Sequence, residues 1–126
     1  MKPLELVSEQ RVVELTKTLV EIPSETGKEK KIGDWLIKYF EKLGLTQITR
    51  LPVEEAGDTV FAVLKGGNGP KLMLNFHIDT FDAFEGWDTP PFKIVEKDGK
   101  LYGLGAHDMK GGAACALAAL EAIAKS

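Results

Sequence analysis

His77 and Asp79 stand two residues apart in Leu74-Asn75-Phe76-His77-Ile78-Asp79-Thr80. Residues two apart on a strand project to the same side, so the imidazole and the carboxylate leave the chain together. An imidazole nitrogen is a good zinc ligand. The other ring nitrogen needs an acceptor to fix its tautomer and direction, and a carboxylate supplies one. His-x-Asp at a strand end is therefore a compact way to build one oriented ligand. Two other readings stay open: Asp79 touches the metal itself if the strand frays at His77, or the pair is an ordinary polar rim. A third candidate is Asp108, which follows Gly103-Leu104-Gly105 and precedes Lys110-Gly111-Gly112. Its two carboxylate oxygens could sit on two cations and hold them a few ångströms apart. Alternatively, Asp108 caps the helix that follows. His107 is its neighbour, but adjacent residues in an extended segment point apart, so His107 is not expected to share the site.

The elements that must position these groups follow from periodicity. Ser8 to Ile22 reads as a helix with the apolar stripe Val12, Leu15, Leu19 and Ile22, capped by Ser8 and stopped by Pro23. After the linker Ser24-Glu25-Thr26-Gly27, Ile32, Trp35, Leu36, Tyr39, Phe40 and Leu43 recur at helical spacing up to Gly44. Thr46 to Leu51 reads as a strand exposed on one side. Val60-Phe61-Ala62-Val63-Leu64, within Asp58 to Lys65, suits a central strand covered on both faces. Gly66 to Pro70 is a turn, and Lys71 to Phe76 a second apolar strand that ends at His77. A loop from Thr80 to Pro91 leads to a hairpin, Phe92 to Lys97 and Lys100 to Tyr102, across Asp98-Gly99. Gly112 to Lys125 is an Ala-rich helix, apolar nearly all round, which predicts cover on every side. Cys115, within it, reads as a small buried residue. The pattern is an α/β sheet with flanking helices.

Composition narrows the function. The chain has 126 residues, 44% apolar and 28% charged, with a formal net charge of −3. That suits one compact domain and gives no reason to expect nucleic acid or an anionic membrane as partner. A single cysteine rules out an internal disulfide. No signal-peptide core is evident, and no run approaches the ~20 apolar residues of a membrane span, so the expected location is the cytoplasm. Gly103-x-Gly105-x-x-Asp108 has dinucleotide-fingerprint spacing, but it would set a carboxylate against the pyrophosphate. Gly66-Gly67-Asn68-Gly69 lacks the Lys-Ser/Thr of a phosphate loop. Glu54-Glu55 lies before His77, in a loop, and reads as solvated surface.

The order of apolar strand, His-x-Asp-Thr, Trp-and-Pro loop, hairpin, Tyr-Gly-x-Gly-x-x-Asp-Met-Lys-Gly-Gly and small-residue helix resembles the amino-terminal part of the M20 family of metallohydrolases. The resemblance runs through essentially the whole chain. It implies that His77 is a ligand of one zinc, that Asp79 is the catalytic-site carboxylate orienting His77, and that Asp108 bridges two zincs. It implies two Zn2+ per complete site, with Co2+ or Mn2+ as substitutes, and hydrolysis of an amide bond in an N-acyl amino acid or short peptide. The implied fold is the zinc-peptidase α/β sandwich, present here in part, with a lid or dimerisation domain absent from residues 1–126. Related two-zinc hydrolases also suggest a cis peptide at Asp108-Met109. Asn75-Phe76 and Leu104 depart from the family pattern without touching the ligand positions. The family's Glu-Glu pair, which supplies the general base and a further ligand, has no counterpart here. The chain alone is accordingly expected to bind metal weakly and to lack activity. A different class of reading is a non-enzymatic module, a homo-oligomer associating through its last helix and a sheet edge.

Overall fold

The structure, a computed structural model, describes residues 1–54 and 57–126. A single turn, α1 (Pro3–Leu6), precedes α2 (Glu9–Val20). The Ser8 hydroxyl accepts from the Arg11 backbone N–H at 3.1 Å and so satisfies one of the free donors at the start of α2. Helix α3 (Lys30–Lys42) ends as its sequence predicts. Gly44 takes φ +79°, its N–H reaches the Glu41 carbonyl at 3.0 Å, and the Leu45 N–H reaches Phe40 at 3.1 Å. These two bonds consume carbonyls that the helix end would leave bare, and Leu45 is tucked beneath.

Strands β1 (Gln47–Val53) and β2 (Gly57–Val63) form an antiparallel ribbon with Gln47 opposite Val63 and Leu51 opposite Thr59. Ile48, Val60 and Ala62 face the core, packing with α3. Gly33 lets the ribbon close in, because a Cβ there would stand 2.7 Å from the Arg50 guanidinium. That guanidinium ties the ribbon to α3 through Asp34 at 2.7 Å and the Lys30 carbonyl at 3.1 Å. The turn Glu54-Glu55 falls partly outside the described residues; Glu54 itself is exposed.

Two strand expectations are corrected. The 58–65 segment is not covered on both faces: Phe61 is 50% exposed. Among the described residues only one face of the ribbon has a helix against it, so the alternate residues Leu51, Val53, Phe61 and Val63 look outward. Residues 71–76 form no ladder, and Leu72 is 82% exposed. A strand exists by hydrogen bonding to a neighbour, and among the described residues none runs beside this segment. An apolar run alone therefore does not make a strand.

The hairpin is shorter than its sequence suggests, β3 (Val95–Lys97) and β4 (Lys100–Tyr102), with Val95 opposite Tyr102. Asp98 (φ +53°) and Gly99 (φ +69°) both take left-handed conformations, as the tight two-residue turn requires. A wide turn, Ala106–Lys110, then feeds α4 (Gly111–Lys125). The architecture among the described residues is thus mixed: helices with two two-stranded antiparallel sheets.

The core gathers Leu15 and Leu19 of α2, Ile32, Leu36, Tyr39 and Phe40 of α3, and Ala113, Ala114, Leu117 and Ala118 of α4. The alanines of α4 allow α2 to pack closely against it. Cover on all sides of α4 is not found. Its core face is buried, while Ile123 is half exposed and Cys115 is exposed, contrary to expectation. Helices α1, α2 and α3 reach only that inner face, which includes the one acidic residue of α4, Glu121.

Candidate metal centre

The site is assembled by the short segment that follows α2. Beyond Pro23, the Ser24 carbonyl accepts from the Thr80 N–H at 2.9 Å, and the Thr26 N–H donates to the Thr80 carbonyl at 3.0 Å. The buried Ser24 hydroxyl donates to the Ile78 carbonyl at 2.7 Å. Residues 24–26 thus run parallel to 78–80, with Glu25 bridged to Thr80. This pairing holds the end of the extended segment although, among the described residues, 71–76 have no strand beside them.

The same region holds the turn bearing Asp108. Lys110 is 1% exposed, and its ammonium donates to the carbonyls of Leu19 at 2.8 Å and Ile22 at 2.9 Å. Those carbonyls lie at and just beyond the C-terminal end of α2, where a cation is favoured. Burial pushes the Lys110 pKa down to about 8, against the Glu25 carboxylate, which favours the charged form. Gly105 takes φ +74°, and a Cβ there would meet the Thr80 methyl at 2.6 Å. The Lys110 N–H closes the turn onto the Gly105 carbonyl at 2.9 Å. Within it, Asp108 has extended backbone (φ −124°, ψ 90°), and the Asp108-Met109 peptide is cis, as the family resemblance suggests.

These constraints bring the three candidate residues together. His77 Nε2 lies 2.8 Å from Asp108 Oδ1. On the opposite side of the ring, Nδ1 faces Asp79 twice, with the main-chain carbonyl and carboxylate Oδ1 each at 3.2 Å. The second carboxylate oxygen of Asp79 accepts from the Thr26 hydroxyl at 2.6 Å. The Asp108 carboxylate raises the His77 pKa above its ordinary value; partial burial opposes this, and Asp79 adds to it. The Asp108 side chain is 78% exposed, so the side of the ring that carries Nε2 opens to solvent.

Each candidate side chain has a definite partner in this arrangement. Asp108 does not cap α4: Lys110 occupies the N-cap position with no side-chain cap bond, and the Asp108 carboxylate goes to His77. Asp79 stands behind the imidazole rather than beside Asp108. His107 lines a separate shallow groove with Val12, Thr16, Leu101 and Cys115. Sequence reasoning missed Ser24, Thr26 and Lys110. The first two read as a linker and the third as part of a helix start. Their partners lie 53 to 91 residues away in sequence, so no local pattern announces them.

An imidazole nitrogen and a carboxylate aimed at one point suit zinc, cobalt or manganese as two of its ligands. They do not complete a coordination sphere. Among the described residues, no group of three or more His, Cys, Asp or Glu is arranged to hold a metal ion.

The model of peptidase family M20/M25/M40 matches residues 73–126, the stretch carrying His77, Asp79 and Asp108. Among individual proteins, the chain is similar to a probable succinyl-diaminopimelate desuccinylase of Staphylococcus aureus (strain MRSA252), 35% identical over 83% of this chain and 26% of that protein. The succinyl-diaminopimelate desuccinylase of Legionella pneumophila (strain Lens) is 36% identical over 84% of this chain and 28% of its own length. The N-formyl-4-amino-5-aminomethyl-2-methylpyrimidine deformylase of Bacillus subtilis (strain 168) is 34% identical over 90% and 28%. The chain spans about a quarter of the length of the curated relatives it matches.

Proposed function

We propose that this chain supplies one half of a two-metal centre for amide hydrolysis, with His77 and Asp108 as metal ligands and Asp79 as the carboxylate that orients His77. The observation that carries the reading is the 2.8 Å approach of His77 Nε2 to Asp108, with Asp79 at the other ring nitrogen. In this role Asp79 holds the Nδ1 proton, which leaves the Nε2 lone pair free to coordinate. Asp108, with one oxygen at His77 and the other toward solvent, is the group that could be shared between two cations. Two Zn2+ ions, or Co2+ or Mn2+, would supply Lewis acidity and a water of lowered pKa.

The relatives' names, a desuccinylase and a deformylase, describe removal of an acyl group from an amine. The substrate class proposed is accordingly an N-acyl amino acid or a short peptide. Residues 1–126 are proposed as the amino-terminal part of a zinc-peptidase-like catalytic domain, consistent with the quarter of the relatives' length that they span. The remaining ligands and the general base would come from elsewhere, so this chain alone is expected to be inactive. No helix among the described residues is long and apolar enough to cross a membrane; a cytoplasmic location is proposed.

The test is a Co2+ titration followed by the paramagnetic shifts and broadening of the backbone amide signals of residues 78–80 and 106–110, with N-acyl amino acid hydrolysis assayed alongside. Weak binding that is lost in both His77→Ala and Asp108→Ala, without turnover, is the expected result. Equal binding by His77→Ala would sink the ligand assignment. A second reading, a self-associating non-enzymatic module, is favoured by the exposed apolar side chains Leu72, Met73, Phe61 and Val63. It requires a stable oligomer that neither binds metal nor gains activity.

A further inference from the structure

We propose that Thr26 is a positioning residue for the metal centre, its hydroxyl fixing the Asp79 carboxylate and, through it, the His77 ring. The proposal rests on the reading of His77 as a ligand and extends it by one residue. The Thr26 hydroxyl has a single proton and two acceptors in range: Asp79 Oδ2 at 2.6 Å and the Thr80 carbonyl at 3.3 Å. The Thr80 carbonyl already receives the Thr26 backbone N–H at 3.0 Å. The proton therefore belongs to Asp79.

The direction of influence follows from what is anchored. Thr26 is held through its backbone, by its bond to Thr80 and by the Thr80 N–H on the Ser24 carbonyl. Its branched side chain has little rotational freedom. Apart from Thr26, the Asp79 carboxylate meets only the His77 ring among the described residues. It is one-third exposed and free to rotate about its own bonds without the hydroxyl. With Oδ2 held by Thr26, Oδ1 is left 3.2 Å from His77 Nδ1. The segment after α2 thus supports the site at a third remove, ligand to carboxylate to hydroxyl, and partners of this kind commonly affect metal affinity.

Thr26→Val keeps the shape and removes the proton; Thr26→Ser restores it. A metal-free test uses the Asp108→Ala background, which removes the competing acceptor at Nε2. At about pH 9, where imidazole is neutral, 15N spectra report which ring nitrogen carries the proton. Thr26→Val is expected to lower the Nδ1–H share by about half, the Asp79 carbonyl keeping the remainder, and Thr26→Ser to restore it. With Asp108 intact, Thr26→Val should weaken Co2+ binding by about tenfold, the low end for an outer ligand partner. That loss should vanish in an Asp79→Ala background, because a residue acting through Asp79 has nothing left to position. An unchanged Nδ1–H share in Thr26→Val would overturn the proposal. So would a Thr26→Ser variant as impaired as Thr26→Val, or an undiminished effect in Asp79→Ala, which would mark plain structural damage. If His77→Ala binds Co2+ as well as the parent chain, the ligand reading falls, and the metal-free spectra still decide whether Thr26 orients the ring.

Discussion

Lys110 shows how a residue outside the proposed ligand set can decide whether the proposed ligands meet. Its ammonium is buried against the Leu19 and Ile22 carbonyls, and its backbone closes the turn that presents Asp108. Lys110→Met keeps most of the stem but takes this donor from both carbonyls, and of the two only Leu19 keeps a backbone partner among the described residues, the Ile22 N–H at 3.4 Å. An unpartnered buried acceptor costs about 1–3 kcal/mol, so urea unfolding should show a loss of that size. A loss under ~0.5 kcal/mol would mean that water replaces the ammonium freely. Gly105→Ala makes a sharper demand. It places a side chain at φ +74° and drives a Cβ to 2.6 Å from Thr80. A loss of about 1–3 kcal/mol is expected, together with disappearance of the His77–Asp108 contact from NMR. At this scale the proposed ligands are legible, because His-x-Asp and the glycine-flanked Asp108 are local patterns. Ser24, Thr26 and Lys110 were not, because each acts across the fold.

Between elements, Glu121 joins three helices. Arg11 of α2 donates to it through Nε at 3.0 Å and Nη2 at 2.9 Å, Tyr39 of α3 donates at 2.8 Å, and Lys125 pairs with its other oxygen. The residue is 8% exposed. Burial alone would raise its pKa, but the bonds from Lys125, Tyr39 and Arg11 outweigh that and hold it down to about 2, from an ordinary 4.5. Between those values the unfolded chain binds the extra proton, so stability is complete above about pH 4.5 and is lost as the pH falls toward 2. The loss should amount to about 1–3 kcal/mol in acid unfolding curves, and Glu121→Gln should flatten that part of the profile. An unchanged slope in the variant would remove Glu121 as its source. Helices α2 and α3 were legible because their apolar periodicity, caps and stops lie within each segment. Helix α4 was legible as a helix but not in its surroundings. Composition showed many apolar residues, whereas only the packed helices determine that Cys115 faces out and Glu121 faces in. The failed strand at 71–76 has the same origin: a helix bonds to itself, and a strand needs another segment.

At the scale of the whole molecule, the unsatisfied strand and the outward ribbon face leave Leu72, Met73, Phe61 and Val63 in water, with Phe81 and Phe84 exposed in the loop beyond the site. The backbone of 71–76 also lacks ladder partners among the described residues. Exposed apolar side chains beside unpaired backbone are a template for another chain. The isolated protein is therefore expected to associate as its concentration rises. Leu72→Lys with Met73→Glu should oppose this, because each charge would have to leave water for the contact to form. Neither side chain belongs to the core that joins α2, α3 and α4, so helical circular dichroism and the urea midpoint should change little. Sedimentation velocity across a concentration series distinguishes the outcomes. A parent chain that grows in mass while the double variant stays monomeric assigns the contact to this segment. Equal association of both would place it elsewhere, with the outward face of α4 and its exposed Ile123 and Cys115 as the next surface to substitute.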